Sequence, residues 1–150
     1  MQIRSLLCAS AVSLAAPAWA ADLVTKSSPH SVDVTIDRLE AAVGNAGATV
    51  FARVDHAKGA ESVGAELAPA QVLMFGNPKL GTPAMQAGIT AGLDLPLRVL
   101  AYEDADGQVQ VVYHDPSALS ENHGVPADAE VLKMMTGALG KLTDAAVAAE

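Results

Sequence analysis

The sequence contains few aromatic side chains: two Phe, two Tyr and one Trp among 150 residues. Sites that bind sugars or cage quaternary ammonium groups are usually built from stacked aromatic rings. This scarcity therefore argues against both kinds of site.

Basic residues are also scarce, with 9 Lys and Arg against 17 Asp and Glu, which gives a formal net charge of −8. Nucleic acids and anionic lipids are bound through basic patches, so neither is an expected partner. After the N-terminal region, charges interrupt every apolar stretch before it reaches the roughly 18 residues of a membrane span. We therefore predict no membrane span.

The first 20 residues have the features of a secretory signal peptide. Arg4 supplies a positive charge, an uncharged run follows at 5–16, and small residues stand at Ala18 and Ala20. This is the pattern that signal peptidase recognises. We predict a signal peptide over 1–20 that is cleaved after Ala20, which makes the protein periplasmic or secreted.

The rest of the chain, residues 21–150, is expected to form one domain. Its stability must come from its core, because the only cysteine, Cys8, lies in the predicted signal peptide and leaves no disulfide. About 130 residues are enough for a single hydrophobic core.

Alternating helix and strand patterns predict an α+β domain, with helices packed on a mainly antiparallel sheet. Ser31 is a predicted N-cap for a helix that ends near Gly47. The longest helix is predicted over 128–149, with Val131, Met135, Leu139, Leu142 and Ala146 on one stripe.

Strands are predicted over 22–26, 48–55, 72–75 (buried on both faces), 97–102 and 109–113. A helix or loop is expected at 56–65, a turn at 76–79 and short helices at 82–91 and from 116.

Six phrases resemble one family when they are taken in order: FARVDH at 51–56, FGNPK at 75–79, GTPAM at 81–85, LDLPL at 93–97, YEDADG at 102–107 and YHDP at 113–116. Together they are similar to the domain-of-unknown-function family DUF302. The resemblance implies a compact single-domain α+β fold, TBP-like or DUF302-like in its sheet, often seen as a homodimer. It implies no established activity and supplies no catalytic residues. Members usually have Asn where this chain has His114.

Two carboxylates are candidates for acid–base catalysis with His56. Asp55 precedes this histidine directly, and an imidazole oriented by a carboxylate can act as a general base. Neighbouring residues on a strand point to opposite faces, however, so a strand-end histidine bonded to the backbone is the favoured interpretation. Asp94 lies among leucines; there a cap for the following backbone is favoured over a polar group that faces a cavity.

The sequence around Asn77 and Pro78 is the main candidate for ligand binding. It follows a predicted buried strand and precedes a predicted helix, so its backbone N–H groups would be free to bind an anion with Lys79 and Thr82. Met85 follows on the helix. We expect this turn to lie near His56, Met85 and Asp94. The alternative is that Gly and Pro merely shape the turn.

The histidines give only a weak indication of a metal site. The best spacing joins His114 and Asp115 with His123, but the sequence has no HxxxH or HxH motif and no Met-rich cluster. No cofactor is evident from the sequence, so the identity of any cofactor that the protein uses is unknown.

Three hypotheses follow. The first is an exported, non-enzymatic binding or interaction module that forms a homodimer and binds an unknown small molecule or protein. The second is a periplasmic enzyme that uses His56 with Asp55 or Asp94. The third is a periplasmic copper-handling protein, which requires at least two His or Met side chains to converge on one point.

Overall fold

The computed structural model describes residues 23–149. The predicted signal peptide over 1–20 and its cleavage site after Ala20 lie outside these residues. Within 23–149, no helix is long and apolar enough to cross a membrane.

Five strands form one sheet in the spatial order β1-β5-β4-β3-β2, and every neighbouring pair is antiparallel. The predicted antiparallel α+β fold is therefore confirmed. The strands are β1 (Leu23–Ser28), β2 (Thr49–Asp55), β3 (Ala70–Gly76), β4 (Leu97–Glu103) and β5 (Val109–His114). The hairpin between β4 and β5 turns at Gly107, which has the positive φ of 75° that a glycine adopts without strain.

The helices are α1 (Val32–Asn45), α2 (His56–Glu61), α3 (Pro78–Ala87), α4 (Ala118–His123) and α5 (Glu130–Val147), and a 3₁₀ segment follows α3 at Ile89–Leu93. The Ser31 side chain accepts a hydrogen bond from the Val34 backbone N–H at 3.3 Å, as predicted for its N-cap. The predicted stripe of α5 is buried throughout.

The main core lies between one face of the sheet, here called the inner face, and helices α1 and α5. Alternate residues of β3, β4 and β5 point into it, including Leu73, Val99 and Val111, each with no exposed surface. A second cluster joins α3, the 3₁₀ segment and α4 to the first turns of α5; its buried members are Ala84, Ala91, Leu119, Val125, Val131, Leu132 and Met135.

The opposite face of the sheet, here called the outer face, is only half-buried. Its central residues are Val72, Met74, Leu100 and Val112. The prediction that 72–75 is buried on both faces is therefore wrong. The apolar run reflects a buried inner face and an outer face that is apolar but only half-buried.

The predicted turn at 76–79 is the start of a helix. The Asn77 side-chain Oδ1 accepts a hydrogen bond from the Lys79 backbone N–H at 3.0 Å, and Pro78 occupies the first helical position. Asn is a preferred N-cap, and proline at the first position lacks only an N–H that would have no partner within the helix. The helix thus begins four residues earlier than predicted and ends at Ala87 instead of continuing to 91.

Candidate functional site

An open apolar groove of about 310 Å³ lies where β3 runs into α3. We call it the apolar groove. It is lined by Phe51, Gly76, Asn77, Pro78, Leu80, Gly81, Thr82, Met85, Leu95, Pro96, Leu97 and Met135. None of these side chains carries an ionisable group.

Gly76 allows two walls of the apolar groove to approach each other. A Cβ built at this position would lie 3.4 Å from Cε2 of Phe51 and 3.5 Å from Cβ of Pro96. Phe51 stands at an irregularity of the β2–β3 ladder, between Val50 and Ala52, and 59% of its surface is exposed. The ladder irregularity gives the ring an exposed position beside the groove.

The far side of the apolar groove is formed by two methionines. Met85 on α3 is half-buried, and Met135 on α5 is almost fully buried. Gly92 leaves room for Met85, because a Cβ at position 92 would lie 3.0 Å from its Cε. Flexible thioether side chains fill irregular gaps, which suits the wall of an adaptable pocket.

Four of the five predicted ligand-binding residues line the apolar groove: Asn77, Pro78, Thr82 and Met85. Lys79 is exposed and lies outside the lining, and its backbone N–H donates to Asn77. The expected anion-binding turn is therefore a capped helix start next to an apolar surface.

Sequence reasoning missed several residues of the apolar groove. Leu95 and Pro96 approach it from the segment before β4, and Met135 reaches it from α5. Leu95 and Pro96 belong to the phrase LDLPL, one of the six that carry the family resemblance, and this was the available signal for them. Nothing local to Met135 distinguishes it from the other core residues of α5.

A second pocket, here called the polar cleft, lies on the other side of the segment that leads into β4. It encloses about 150 Å³ and is lined by Asp94, Leu97, Arg98, His114, Asp115, Pro116, Ala118, Leu119 and Asn122. Leu97 thus contributes to both pockets.

Asp94 holds a small network at the edge of the polar cleft. Its carboxylate accepts hydrogen bonds from Nε2 of His123 at 2.7 Å and from Nη2 of Arg98 at 3.1 Å. The hydrogen bond from His123 is the main reason why the pKa of Asp94 lies below its usual value; partial burial opposes this shift, and the charges of Arg98 and His114 add to it. The favoured prediction of a backbone cap is therefore wrong: Asp94 bonds side chains.

His56 does not join either pocket. Thr49, at one end of β2, pairs with Gly76 beside the apolar groove, whereas Asp55 is at the other end of the strand. Six residues of strand separate these ends by about 20 Å. His56 begins α2 just beyond Asp55, so its expected position near Asn77 and Asp94 is wrong.

Asp55 and His56 do not form a catalytic pair in this structure. Asp55 caps α2: its Oδ1 accepts from the Lys58 backbone N–H at 3.0 Å, and its Oδ2 lies 3.4 Å from Nζ of the same lysine. The backbone hydrogen bond from Lys58 is the main reason why the pKa of Asp55 is lowered. His56 is exposed, and within residues 23–149 no hydrogen bond joins its ring to a carboxylate.

The three candidate metal ligands lie near one another but point to different partners. His114 and Asp115 line the polar cleft, whereas His123 lies behind it and bonds Asp94 and, through Nδ1, the Thr90 hydroxyl at 3.1 Å. In the part of the chain that the structure describes, no three His, Cys, Asp or Glu side chains are arranged to hold a metal ion.

The fold and the two pockets define a small α+β domain with an antiparallel sheet, helices on its inner face and ligand-sized pockets at one end. Residues 24–142 match the family described as "Domain of unknown function DUF302". The chain belongs to this family, which confirms the resemblance seen in the sequence.

A solved structure supports the same conclusion about the fold. The crystal structure of an uncharacterized conserved DUF302 protein from Bacillus stearothermophilus superposes with a TM-score of 0.75. The two sequences are 20% identical, and the match covers 85% of this chain and 99% of that one.

Curated relatives come from Brucella and are named as channels. The chain is 45% identical over 117 residues to fluoride-specific ion channel FluC 1 of Brucella suis, covering 77% of this chain and 46% of the relative. Brucella abortus FluC 1 and Brucella melitensis FluC 2 match at the same identity over 43% of their length. This chain therefore spans less than half the length of the curated relatives that it matches.

Proposed function

We propose that this protein is an exported binding module, and that its apolar groove holds a small, mainly apolar molecule. The observation that carries the proposal is the lining: twelve residues surround the groove, and none of them is ionisable. Proton transfer needs an acid or a base at the reacting atom, so this lining favours binding over acid–base catalysis. The volume of about 310 Å³ lies at the small end of the range of ligand pockets.

Two polar groups in the apolar groove give the ligand an orientation. The side-chain oxygen of Asn77 accepts from the Lys79 N–H, which leaves the amide NH₂ to donate to a ligand. The Thr82 hydroxyl, on the next turn of α3, both donates and accepts. A ligand with one polar end and an apolar body matches this arrangement.

Titration with the neutral dye N-phenyl-1-naphthylamine tests the groove. Its fluorescence rises when it leaves water for an apolar site. Gly81→Leu fills the groove, because a Cβ at this position already lies 4.0 Å from Cδ1 of Leu95. We expect this variant to weaken binding by about tenfold or more.

Gly137→Leu is the matched control, since it makes the same change on the exposed side of α5, where a Cβ meets no atom within 4 Å. Its affinity should equal that of the unmodified protein. Equal affinity in all three proteins would contradict binding in the groove.

A homodimer formed through the outer face is part of the same proposal. Within residues 23–149, the apolar side chains at the centre of that face are only half-buried. The proposed contact is the central apolar part of this face, made of Val72, Met74, Leu100 and Val112. It leaves out the end of the sheet where Arg98 and His114 line the polar cleft.

Leu100→Glu tests this interface, because the residue is central in β4 and on the outer face. A carboxylate there is desolvated without a partner in a dimer, so we expect a monomer by analytical ultracentrifugation. Met134→Glu, at an exposed position of α5, serves as the control and should sediment like the unmodified protein. If the unmodified protein and both variants all sediment as monomers, the proposed dimer is contradicted.

The Brucella relatives support a second candidate function, association with a fluoride channel. They are named fluoride-specific ion channels, and more than half of each lies outside the match. Residues 23–149 of this chain include no membrane-spanning helix. A channel needs spanning segments, so we infer that the matched part is an accessory domain in those proteins.

Fluoride release from proteoliposomes tests the accessory role. The Brucella suis relative is compared in its full form and with the segment that matches this chain deleted. The candidate predicts that deletion changes the release rate and that the purified protein from this chain restores it. Unchanged release after deletion would contradict the association.

A further inference from the structure

The polar cleft combines opposite charges on a partly apolar floor. Arg98 contributes a guanidinium, Asp94 and Asp115 each contribute a carboxylate, and His114 and Asn122 add an imidazole and an amide. The floor is made of Leu97, Pro116, Ala118 and Leu119. The apolar groove has no charged residue at all, so the two pockets suit different ligands.

The sheet register places the two basic side chains of the polar cleft together. Leu100 pairs with Val112 on the outer face, and this is the last pair of the β4–β5 ladder at that end of the sheet. Arg98 and His114 lie two residues beyond this pair on β4 and β5, and both line the cleft. Both side chains are exposed, at the end of the outer face beyond its apolar residues.

Asp94 positions Arg98 without occupying all of its donors. One nitrogen of the Arg98 guanidinium donates to Asp94 at 3.1 Å, and a guanidinium has five N–H donors in total. Asp94 is fixed in turn by His123, whose side chain is 8% exposed and which also bonds Thr90. The guanidinium therefore has free donors toward the cleft and a fixed orientation.

Asp115 is similarly fixed, with oxygen remaining for a ligand. Its Oδ1 accepts from the Ser117 backbone N–H at 2.8 Å at the start of α4. A carboxylate has about four acceptor positions, so Oδ2 is available for a ligand donor. The cleft lining thus contains a guanidinium held by Asp94 and a carboxylate held by the Ser117 N–H.

We propose that the polar cleft binds a small zwitterion of the α-amino acid type. The ligand carboxylate lies on Arg98 and His114, its ammonium group on Asp115, and its side chain on Leu97 and Leu119. The carboxylates of Asp94 and Asp115 repel a simple anion, and a simple cation leaves the free donors of Arg98 without an acceptor. A molecule with both charges can bond both Arg98 and Asp115. The volume of about 150 Å³ equals that of an engineered cavity that holds benzene, so the ligand is small.

Isothermal titration calorimetry tests this site with three probes: L-alanine, acetate as the isolated anion and ethylamine as the isolated cation. We expect L-alanine to bind the protein and the other two to bind about tenfold or more weakly. Equal affinity for acetate would show an anion site, and equal affinity for ethylamine a cation site. Either result, or no heat from millimolar L-alanine, overturns the proposal.

Two substitutions locate the binding. Arg98→Gln and Asp115→Asn should each weaken L-alanine binding by about tenfold or more. The asparagine keeps a side-chain oxygen for the Ser117 N–H, so it preserves the start of α4. Arg53→Gln is the control, because Arg53 pairs with Asp37 away from the cleft and its replacement should leave affinity unchanged.

This site is independent of the apolar groove. Gly81→Leu, which fills the groove, should leave L-alanine binding unchanged. Failure of the groove proposal and failure of the cleft proposal are therefore separate results. Retained L-alanine affinity in both Arg98→Gln and Asp115→Asn overturns the cleft assignment even if the groove binds its dye.

Discussion

The apolar groove and the polar cleft share a wall but have opposite chemistry. Asp94 and Arg98 line only the cleft, Leu95 and Pro96 line only the groove, and Leu97 touches both. A five-residue segment thus separates a surface without charges from one organised by charges. The groove depends on how side chains pack, whereas the cleft depends on hydrogen bonds between ionised groups. Substitutions in the groove should therefore change stability through packing, whereas the effects of substitutions in the cleft should depend on charge and pH.

The largest expected effect comes from the groove side of this comparison. Met135 has 1% of its surface exposed and belongs both to the second core cluster and to the groove lining. We expect Met135→Ala to lower the free energy of unfolding by about 2–5 kcal/mol, because a buried side chain of this size leaves a cavity. Chemical denaturation measures this.

The neighbouring Met134→Ala is the matched control. Met134 is 52% exposed, so its replacement should change the free energy of unfolding by no more than about 0.5 kcal/mol. Similar losses in both variants would show that Met135 is not a packing residue of the groove.

A smaller effect is expected where α4 approaches the segment that carries the shared wall. A Cβ at Gly88 would lie 2.3 Å from the backbone oxygen of His123, so the backbone must shift to accept it. We expect Gly88→Ala to destabilise by about 1–3 kcal/mol. Gly44→Ala on α1 meets no atom within 4 Å and should instead stabilise by up to about 1 kcal/mol. Equal thermal midpoints for the two variants would contradict this close approach.

The smallest effect belongs to the cleft side and depends on pH. Because the pKa of Asp94 is lowered in the folded protein, its ionised form stabilises the fold above the ordinary aspartate pKa, and this contribution disappears as the pH falls through the lowered value. Asp94 is 44% exposed, which limits the contribution to about 1 kcal/mol or less. Asp94→Asn should therefore be less stable near neutrality and approach the unmodified protein as the pH falls.

Unfolding curves from about pH 6 to about pH 2 measure that convergence. Asp106→Asn, at the exposed tip of the β4–β5 hairpin, is the control. Its free energy of unfolding should change with pH in the same way as that of the unmodified protein. If the free energy of unfolding of Asp94→Asn showed the same pH dependence as that of the unmodified protein, the network with His123 and Arg98 would contribute nothing to stability.

Much of the fold could be predicted because local patterns determine it. The N-cap at Ser31 and the apolar spacing of α1 and α5 are encoded within each helix, and both predictions are confirmed. The start of α3 was missed because Asn77-Pro78 suits either a turn or a helix start. The β3 ladder and the packing of α3 decide between them.

The candidate site was only partly predictable because it is assembled from distant segments. Six groove residues lie within one stretch of sequence, from Asn77 to Met85, and four of them could be grouped in advance. Phe51 and Met135 come from β2 and α5, and only the tertiary fold brings them together. The misplacement of His56 has a similar cause, because the direction and length of β2 put it at the far end of the sheet.

An amide chemical-shift map of the ¹⁵N-labelled protein tests the central claim, that two pockets of opposite chemistry flank the 94–98 segment. It is recorded with N-phenyl-1-naphthylamine and then separately with L-alanine. We predict that the dye shifts the amides of Leu80, Gly81 and Leu95, and that L-alanine shifts those of His114, Asp115 and Asn122. Overlapping sets, or shifts confined to the outer face of the sheet, would contradict the account.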